Sequence, residues 1–135
     1  MDLPVPEPTE TTQPFWDGLR QGKLVIQYSP SAGQWVFYPR VLAPGTLADD
    51  LEWREITGAG QVYTYSIGRR PTAPPWGDRV PQIIAVVAVD EGAHIPTELV
   101  GVEPDDVTVG MRVRPVFERA ADGATVLLKF RPAGD

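Results

Sequence analysis

The sequence lacks the residues on which several kinds of protein chemistry depend. It contains no cysteine and a single histidine, His94, which excludes disulfides, thiol nucleophiles, Cys-ligated zinc and multi-histidine metal sites. No apolar run approaches the ~18 residues that a transmembrane helix needs. The start of the chain has neither the basic nor the apolar region of a secretory signal. The expectation is a cytoplasmic protein, not bound to a membrane, with little catalytic chemistry of its own.

Positive charge is also scarce. Lys and Arg number 12 against 18 Asp and Glu, which gives a net charge of −6. Because a nucleic-acid binder needs a positive surface that neutralises phosphates, nucleic acid is not an expected partner. What the chain does have is 42% apolar residues in a length of 135. A chain of this size buries about 70% of its unfolded surface, enough for one compact core.

The N-terminal part predicts an extended arm and a short helix. Residues 1–13 carry several prolines among Glu and Thr, and proline fixes φ and removes a backbone donor. A helix is expected over about 14–21, where Phe15, Trp16 and Leu19 recur at helical spacing ahead of a glycine stop. These three side chains are either core residues or anchors on another protein, because a short helix has little local core and Trp is enriched at interfaces.

Two β-rich runs follow the helix. KLVIQY at 23–28 and QWVFYP at 34–39 flank a turn rich in Ser, Pro and Gly. This pattern predicts a hairpin.

Two pairs of positions in and after this hairpin have the spacing of metal-binding C-x-x-C knuckles. Ser29 lies three residues before Ala32, and Ala43 lies three residues before Thr46. Hydroxyl and methyl groups cannot supply the thiolates of a structural zinc site, so the stretch predicts a metal-free scaffold. Burial at ~2 kcal/mol per side chain, in part against a partner protein, would replace the metal. The apolar side chains expected to do so are Trp35, Phe37, Tyr38, Leu42, Leu47 and Leu51.

Beyond a boundary near residue 52 the pattern consists of strands and turns only. EWREI resumes strand character at about 52–57. In the next strand, alternation places Tyr63 and Tyr65 on one face and Val62 and Thr64 on the other. Five strands in about 80 residues favour a closed barrel, with the five-stranded OB-fold as the candidate. The predicted strands are 60–68, 81–90, 94–102, 111–120 and 125–132.

The order of these motifs resembles that of one protein family. Over residues 14–132, PFWDGLRQGKLVIQY, SPSAG, FYPR, APGT, ITGAGQVYTYSI, PQIIAVVAVDEGAHIPTELVGV and VGMRVRPVF follow one another. This order resembles the acyl-CoA-associated OB-fold proteins, the thirty-fifth family of domains of unknown function. The resemblance implies a mainly β protein: a short helix, a rubredoxin-like zinc ribbon and a C-terminal OB barrel. We therefore expect an arm at 1–13, a helix with a degenerate ribbon at 14–52, and an OB-fold domain at 53–135.

The resemblance also implies a role without catalysis. Family members are bound to thiolase-like enzymes, aldolases or MaoC-type hydratases, and they help to form or shield the partner's acyl-CoA site. The family's cysteine positions fall on Ser29, Ala32, Ala43 and Thr46, so zinc is not expected here. The expected partner-binding side chains are Phe15, Trp16, Leu19, Trp35, Phe37 and Trp76.

The loop at 68–81 is the most distinctive insertion in the barrel. Arg69, Arg70 and Arg79 are candidates to meet the phosphates of coenzyme A, with Trp76 packing on a partner or on adenine. The alternative is a solvated, proline-stiffened loop with surface arginines. His94 begins a strand after a turn, where a structural or exposed histidine is commoner than a catalytic one. Three carboxylate pairs lie in turn-like sequence and are interpreted as solvated: Asp49–Asp50, Asp90–Glu91 and Asp105–Asp106.

The leading hypothesis is a non-catalytic subunit, without a cofactor of its own, in a complex whose substrate is a coenzyme A thioester. The favoured partner is a lipid-transfer-type thiolase or retro-aldolase of lipid or steroid side-chain breakdown, in a hetero-oligomer that we expect to be a heterotetramer. A MaoC-type hydratase is the alternative partner. A second class of function is a single-stranded nucleic-acid module with Tyr63, Tyr65 and Phe117 as a stacking platform. A third is a small autonomous enzyme, for which a lone histidine and the absent thiols are a poor basis.

Overall fold

The computed structural model describes residues 6–69, 81–120 and 122–133. These residues form a small three-stranded sheet, one α-helix and a closed barrel, so the predicted mainly β fold is confirmed. A 3-10 turn, Pro104–Asp106, precedes the seventh strand. The elements in chain order are α1 (Gln13–Arg20), β1 (Leu24–Ser29), β2 (Gln34–Val36), β3 (Glu52–Ile56), β4 (Gly60–Gly68), β5 (Gln82–Val89), β6 (His94–Leu99), β7 (Arg112–Arg119) and β8 (Val126–Pro132).

Helix α1 matches the predicted helix to within one residue at each end. Its apolar side chains Phe15, Trp16 and Leu19 are buried, with only 1% of Leu19 exposed. Gly18 lets the helix lie close to β1, because a Cβ at this position would lie 2.7 Å from Cγ2 of Val25. Of the two roles that the sequence left open, the core role holds for these three residues within this chain.

The small sheet contains the predicted hairpin. Strand β1 is central, and both β2 and β3 pair with it in antiparallel orientation, as Gln27 opposite Val36 and Gln27 opposite Trp53 illustrate. Strand β3, which the sequence analysis assigned to the OB-fold domain, pairs with β1 over its whole length. The division at residue 52 therefore stays a prediction as a domain boundary, while the strand pairing groups β3 with the ribbon-like part.

The barrel has the strand order β4-β5-β6-β8-β7 and closes between β7 and β4. The β6–β8 contact is parallel and the other pairings are antiparallel. A five-stranded barrel with this mixed, Greek-key order has the architecture of an OB-fold. The predicted five-stranded barrel is confirmed.

One predicted feature of β4 is wrong. The pairing with β5 shifts between Val62, opposite Val87, and Thr64, opposite Val86. A bulge inserts one extra residue into a strand, so Val62, opposite Val87, shares a face with Tyr65, opposite Ala85, and not with Thr64. Tyr63 is the extra residue, and 57% of it is exposed.

The helix, the small sheet and the barrel share one hydrophobic core. The joint between them includes Gly58, which has a φ of 77°. A Cβ there would lie 2.7 Å from Cδ2 of Leu24 in β1 and 3.0 Å from Cγ of Pro115 in β7. Thr57 adds a polar link, because its backbone N–H and its hydroxyl both donate to Glu91 beyond β5. Within the described residues, no helix is long and apolar enough to cross a bilayer.

Candidate functional site

A groove of about 550 Å³ opens between α1, the segment after β2, and strands β6 and β8 of the barrel. We call it the interlayer groove. Helix α1 contacts both β1 of the small sheet and β8 of the barrel, so the groove lies where these parts meet. The side chains that line it are Phe15, Trp16, Phe37, Tyr38, His94, Pro96, Glu98, Leu127, Leu128 and Lys129.

Aromatic rings form one wall of the interlayer groove. Phe15 makes edge-to-face contacts with Trp16 at 5.1 Å, with Phe37 at 5.5 Å and with Tyr38 at 6.1 Å between ring centroids. Such pairs contribute about 0.5–1.5 kcal/mol beyond their burial, so they hold the segment after β2 against the helix. Tyr38 remains 45% exposed, and the wall therefore continues onto the protein surface.

A charged cluster lies on the barrel side of the groove. The Nζ of Lys129 in β8 lies 3.0 Å from Oε1 of Glu98 in β6 and 2.8 Å from Oε1 of Glu118 in β7. The three residues meet because β8 lies between β6 and β7 in the barrel. Only 8% of the Lys129 side chain is exposed, and a buried charge of this kind is tolerated only when it is paired.

The sequence analysis did not single out this cluster. The available signal is weak: Lys129 is the one charged residue in the apolar run VLLKF. Its two partners come from other strands, and their proximity depends on the strand order of the barrel.

Trp16, one of the rings of the aromatic wall, also has a buried indole nitrogen. Its indole Nε1 is buried and has no hydrogen-bond partner among the described residues. A buried donor without an acceptor costs about 1–3 kcal/mol. Trp16 borders both the interlayer groove and a smaller cavity of about 60 Å³ beside the start of β8.

The first knuckle is closed by hydrogen bonds. Ser29 is fully buried, and its hydroxyl donates to the carboxylate of Asp50 at 2.6 Å. The other carboxylate oxygen accepts the backbone N–H of Ser31 at 2.9 Å, and Oγ of Ser29 accepts the N–H of Ala32 at 3.2 Å. The bond from Ser29 first, and then that from Ser31, hold the pKa of Asp50 below its ordinary value of 3.8. The sequence analysis interprets Asp50 as a solvated turn carboxylate, and it is half-exposed. What the sequence analysis missed is its hydrogen bond to Ser29 of β1, 21 residues earlier in the chain.

The second knuckle keeps a related backbone form. The N–H of Leu47 donates to the carbonyl of Ala43 at 2.9 Å, and the N–H of Ala43 donates to that of Ala48 at 2.9 Å. The residue that follows each C-x-x-C-like pair has a left-handed backbone, with φ of 61° at Gly33 and 58° at Leu47. Both turns persist without metal-ligating side chains.

Zinc does not fit these residues. Ser29, Ala32, Ala43 and Thr46 provide neither thiolate nor imidazole. Within residues 6–69, 81–120 and 122–133, no three His, Cys, Asp or Glu side chains group as a metal site.

The expected apolar replacement for the metal is correct only in part. Trp35 and Phe37 pack against the core, but Leu42 and Leu47 are exposed, Leu47 by 69%. Ala43 of the second knuckle is fully buried, but the side chains of Leu42 and Leu47 on either side of it lie in solvent, so these two do not stabilise the ribbon within this chain. Their burial against a partner stays a prediction.

The structure brings only some of the predicted partner-binding residues together. Phe15, Trp16 and Phe37 line the interlayer groove. Leu19 of helix α1 is buried in the core instead, and Trp35 packs on the ring of Tyr28. Their contact with a partner stays a prediction.

The predicted phosphate contacts are divided between described and undescribed residues. The guanidinium of Arg69 lies 3.8 Å from the carboxylate of Asp105, and 61% of the Arg69 side chain is exposed. Arg70, Trp76 and Arg79 lie outside the described residues.

His94 is exposed and lines the interlayer groove, where its ring lies 4.6 Å from that of Tyr63. The sequence analysis expected a structural or exposed histidine, and His94 is exposed; that it has no catalytic role stays a prediction. Tyr63 is one of the three aromatics of the stacking-platform hypothesis; its ring contacts His94, and 57% of the residue remains exposed.

This chain is similar in sequence to several known proteins. Residues 53–118 match the family described as ChsH2, C-terminal OB-fold domain. A DUF35 domain-containing scaffold protein of Pyrococcus furiosus is 30% identical over 125 residues, which cover 87% of this chain and 90% of that protein. A probable enoyl-CoA hydratase alpha subunit of Thermomonospora curvata is 34% identical over 121 residues, or 88% of this chain. The matched part is 37% of the hydratase subunit, so the chain spans little more than a third of that relative.

A solved structure described as the Ltp2-ChsH2(DUF35) aldolase is similar over nearly the whole chain. The TM-score is 0.82 at 30% identity, and the match covers 96% of this chain and 100% of that one. The match therefore extends beyond the barrel to the helix and the small sheet. On this evidence the chain belongs to the DUF35 family.

Proposed function

We propose that this chain is a non-catalytic accessory subunit that binds and stabilises a thiolase-like enzyme and borders its acyl-CoA site. The observation that carries the proposal is the match over 96% of the chain, at a TM-score of 0.82, to a DUF35 chain of an aldolase. The printed name of the Pyrococcus relative, a scaffold protein, supports the same role.

Exposed apolar residues give the proposal a physical basis. Four large apolar side chains with substantial exposure lie within ten residues of each other: Tyr38, Val41, Leu42 and Leu47. Exposed apolar side chains grouped in one segment favour a protein–protein contact. An accessory subunit that is permanently bound to an enzyme would cover this surface.

We further propose the identity of the partner enzyme, the composition of the complex and the class of its substrate. We favour a lipid-transfer-type thiolase or retro-aldolase as partner, in a heterotetramer whose substrate is a coenzyme A thioester with a lipid or steroid side chain. The cluster of Arg69, Arg70 and Arg79 remains the candidate contact for the coenzyme A phosphates, since planar guanidinium groups bind phosphate in bidentate fashion. A triple Ala variant is then expected to raise the KM of the complex for its thioester and leave the assembly intact.

The second candidate is a subunit of a MaoC-type enoyl-CoA hydratase. The Thermomonospora relative favours it, because its printed name is that of a hydratase subunit. The aldolase is preferred because the matched DUF35 chain is covered completely, whereas only 37% of the hydratase subunit is covered.

Co-expression tests the proposal and separates the two candidates. The chain is produced with a thiolase-like subunit, and in parallel with a hydratase subunit, from the same organism. Light scattering after size exclusion is expected to show one stable complex with the thiolase-like subunit. The activity of that subunit is expected to decay faster when this chain is absent. Two proteins that elute separately, each fully active, would overturn the proposal. Binding of single-stranded DNA at low salt would favour the nucleic-acid alternative, and none is expected at a net charge of −6.

A further inference from the structure

We infer that Gln27 is a positioning residue for the binding of the catalytic subunit. It holds the loop between β2 and β3, residues 37–51, in the shape in which the exposed apolar side chains of that loop contact the partner. We call this segment the ribbon loop. The inference rests on the proposed function, and it specifies which surface the catalytic subunit covers and which residue prepares that surface.

The ribbon loop is long and contains neither helix nor strand. Loops of about 12–15 residues or more without secondary structure of their own are uncommon, and they are usually either functional or disordered. Gln27 fixes the first part of this loop. Its Nε2 donates to the carbonyl oxygen of Arg40 at 2.8 Å, and its Oε1 accepts the backbone N–H of Arg40 at 2.6 Å. These are the two bonds that a directly opposite residue of an antiparallel sheet would exchange.

The position of Gln27 makes this attachment firm. Gln27 lies within β1, and only 5% of it is exposed. A buried amide is stable only when its polar atoms are hydrogen-bonded, so the two bonds to Arg40 satisfy the side chain as well as the loop. An apolar residue of the same shape would keep β1 packed and would release Arg40.

Two further attachments hold the rest of the ribbon loop. Ala43 is fully buried, and the carboxylate of Asp50 accepts the hydroxyl of Ser29 at the end of β1. The loop is therefore fixed near its start, in its middle and near its end, and its shape exists before a partner arrives. Preorganisation of this kind lowers the entropy cost of binding.

The exposed side chains of the ribbon loop provide the contact surface. Among the described residues, eight large apolar side chains are exposed, and half of them belong to this loop: Tyr38, Val41, Leu42 and Leu47. Val41 is the most exposed of these, at 74%. A loop that is held in place and presents such side chains fits an apolar surface of the partner, like that at the core of a protein interface.

The occupant is the catalytic subunit and not a second copy of this chain. Each copy carries a net charge of −6, and a net charge far from zero keeps proteins monomeric through repulsion between copies. The four apolar side chains provide no charge pairing that would offset this repulsion in a symmetric contact. A different protein is free of this constraint.

The experiment compares variants of this chain in binding to the immobilised thiolase-like subunit. Gln27→Met removes both bonds to Arg40 and keeps the shape of the side chain. Val41→Ser removes an exposed apolar contact and keeps those bonds, and Val109→Ser is its matched control, because Val109 is 66% exposed and precedes β7. Ile95→Val and Ile95→Ala, in the barrel core, are controls for lost stability. Circular dichroism and urea unfolding of each isolated variant check the fold.

The expected results separate positioning from contact. Gln27→Met should raise the Kd by about threefold to tenfold through slower association, because the net stabilisation by a hydrogen bond corresponds to a factor of this size in the population of the held loop. Val41→Ser should raise the Kd mainly through faster dissociation. Val109→Ser and the two Ile95 variants should leave the Kd unchanged.

Hydrogen exchange tests the loop itself. In the isolated wild-type chain the amides of Arg40 and Leu47 should be protected, because each donates a hydrogen bond within the folded chain. In Gln27→Met the protection of the ribbon loop should fall while that of the barrel strands stays. This measurement on the wild type remains decisive if Gln27→Met does not fold.

Contrary results are distinguishable. An unprotected ribbon loop in the wild type, an association rate that Gln27→Met leaves unchanged, or an equal loss of affinity in an Ile95 variant of the same stability overturns the positioning role. A wild-type complex whose Kd is unchanged by Val41→Ser, or a dimer of the isolated chain that this variant dissociates, overturns the inference and leaves the proposed function standing. The absence of any wild-type complex overturns the proposed function and this inference together.

Discussion

The barrel and the three-stranded sheet of this protein are stabilised in different ways. The barrel encloses side chains such as Val87, Ile95 and Phe130, none of which is accessible to solvent. In the small sheet, the end of β1 is closed by the hydrogen bond between Ser29 and Asp50. The loop between β2 and β3 leaves Leu47 in the solvent. The difference explains how a ribbon-like module can persist without a metal. Its inner face, which includes Leu24 and Ile26, belongs to the same hydrophobic core as the barrel.

Phe130→Ala tests whether the two regions are one cooperative unit, and it should have the largest effect. Removing this fully buried ring leaves a cavity, and such changes cost about 3–5 kcal/mol in the free energy of unfolding. Because the core is shared, fluorescence of the tryptophans in the helix and small sheet and far-UV circular dichroism should report the same shifted denaturant midpoint. Val109→Ala, at an exposed position, should change stability by no more than about 0.5 kcal/mol. Separate transitions for the two probes would contradict the shared core.

Gly58→Ala tests the joint between the two regions. The new Cβ would overlap Leu24 and Pro115 in a left-handed backbone, so overpacking and strain together should cost about 2–4 kcal/mol. The control is Gly123→Ala, whose φ is 74° but whose Cβ would meet nothing within 4 Å. It should lose only about 1 kcal/mol. Equal losses in the two variants, measured by urea unfolding, would mean that contact across the joint is unimportant.

Ser29→Ala tests the polar closure of the small sheet. The variant loses the hydroxyl that joins Asp50 to the N–H of Ala32, and the expected cost is about 1–2 kcal/mol. Ser31→Ala is the comparison variant, because it keeps the backbone N–H that bonds Asp50 and loses only the weaker contacts of the Ser31 hydroxyl, such as that with Oγ of Ser29 at 3.5 Å. It should change the unfolding free energy by less than about 0.5 kcal/mol. A small loss for Ser29→Ala would indicate that burial alone holds the knuckle.

The pH dependence of stability provides a further test of the same contact. The pKa of Asp50 is lowered in the folded state by the bonds from Ser29 and Ser31, so the unfolded chain binds this proton more readily. The stabilisation is therefore present above the ordinary pKa of 3.8 and is lost as pH falls through the lower, folded value. Asp50→Asn should remove this part of the slope between about pH 5 and pH 3. Parallel wild-type and variant profiles would exclude the assignment, since the other lowered carboxylates are common to both.

Leu47→Gly should have the smallest effect, and an opposite sign. Leu47 has a φ of 58° and is exposed, so the variant loses little packing and relieves about 1 kcal/mol of backbone strain. A net gain of about 0.5 kcal/mol is expected after the entropy of glycine is included. The control Ala48→Gly, at a position without positive φ, should lose about 0.5–1 kcal/mol. If Leu47→Gly also weakens the complex with the catalytic subunit, the exposed knuckle contributes to binding.

The sequence by itself determined the helix, the hairpin and the number of strands in the barrel. Each of these depends on local signals: apolar periodicity, turn residues and the order of motifs along the chain. The missing cysteines likewise excluded a Cys-ligated zinc site from the sequence alone. In β4 local alternation failed at Tyr63, because a bulge is decided by the pairing with the neighbouring strand.

Only the tertiary structure decided which distant residues meet. Asp50 is hydrogen-bonded to Ser29, which lies 21 residues earlier in the sequence. Lys129 contacts Glu98 and Glu118 because of the order of three strands in the barrel. The interlayer groove likewise needs the helix, the segment after β2 and the barrel to be packed together. No local pattern encodes these contacts, because burial and charge pairing depend on the whole arrangement of the chain and not on residue spacing.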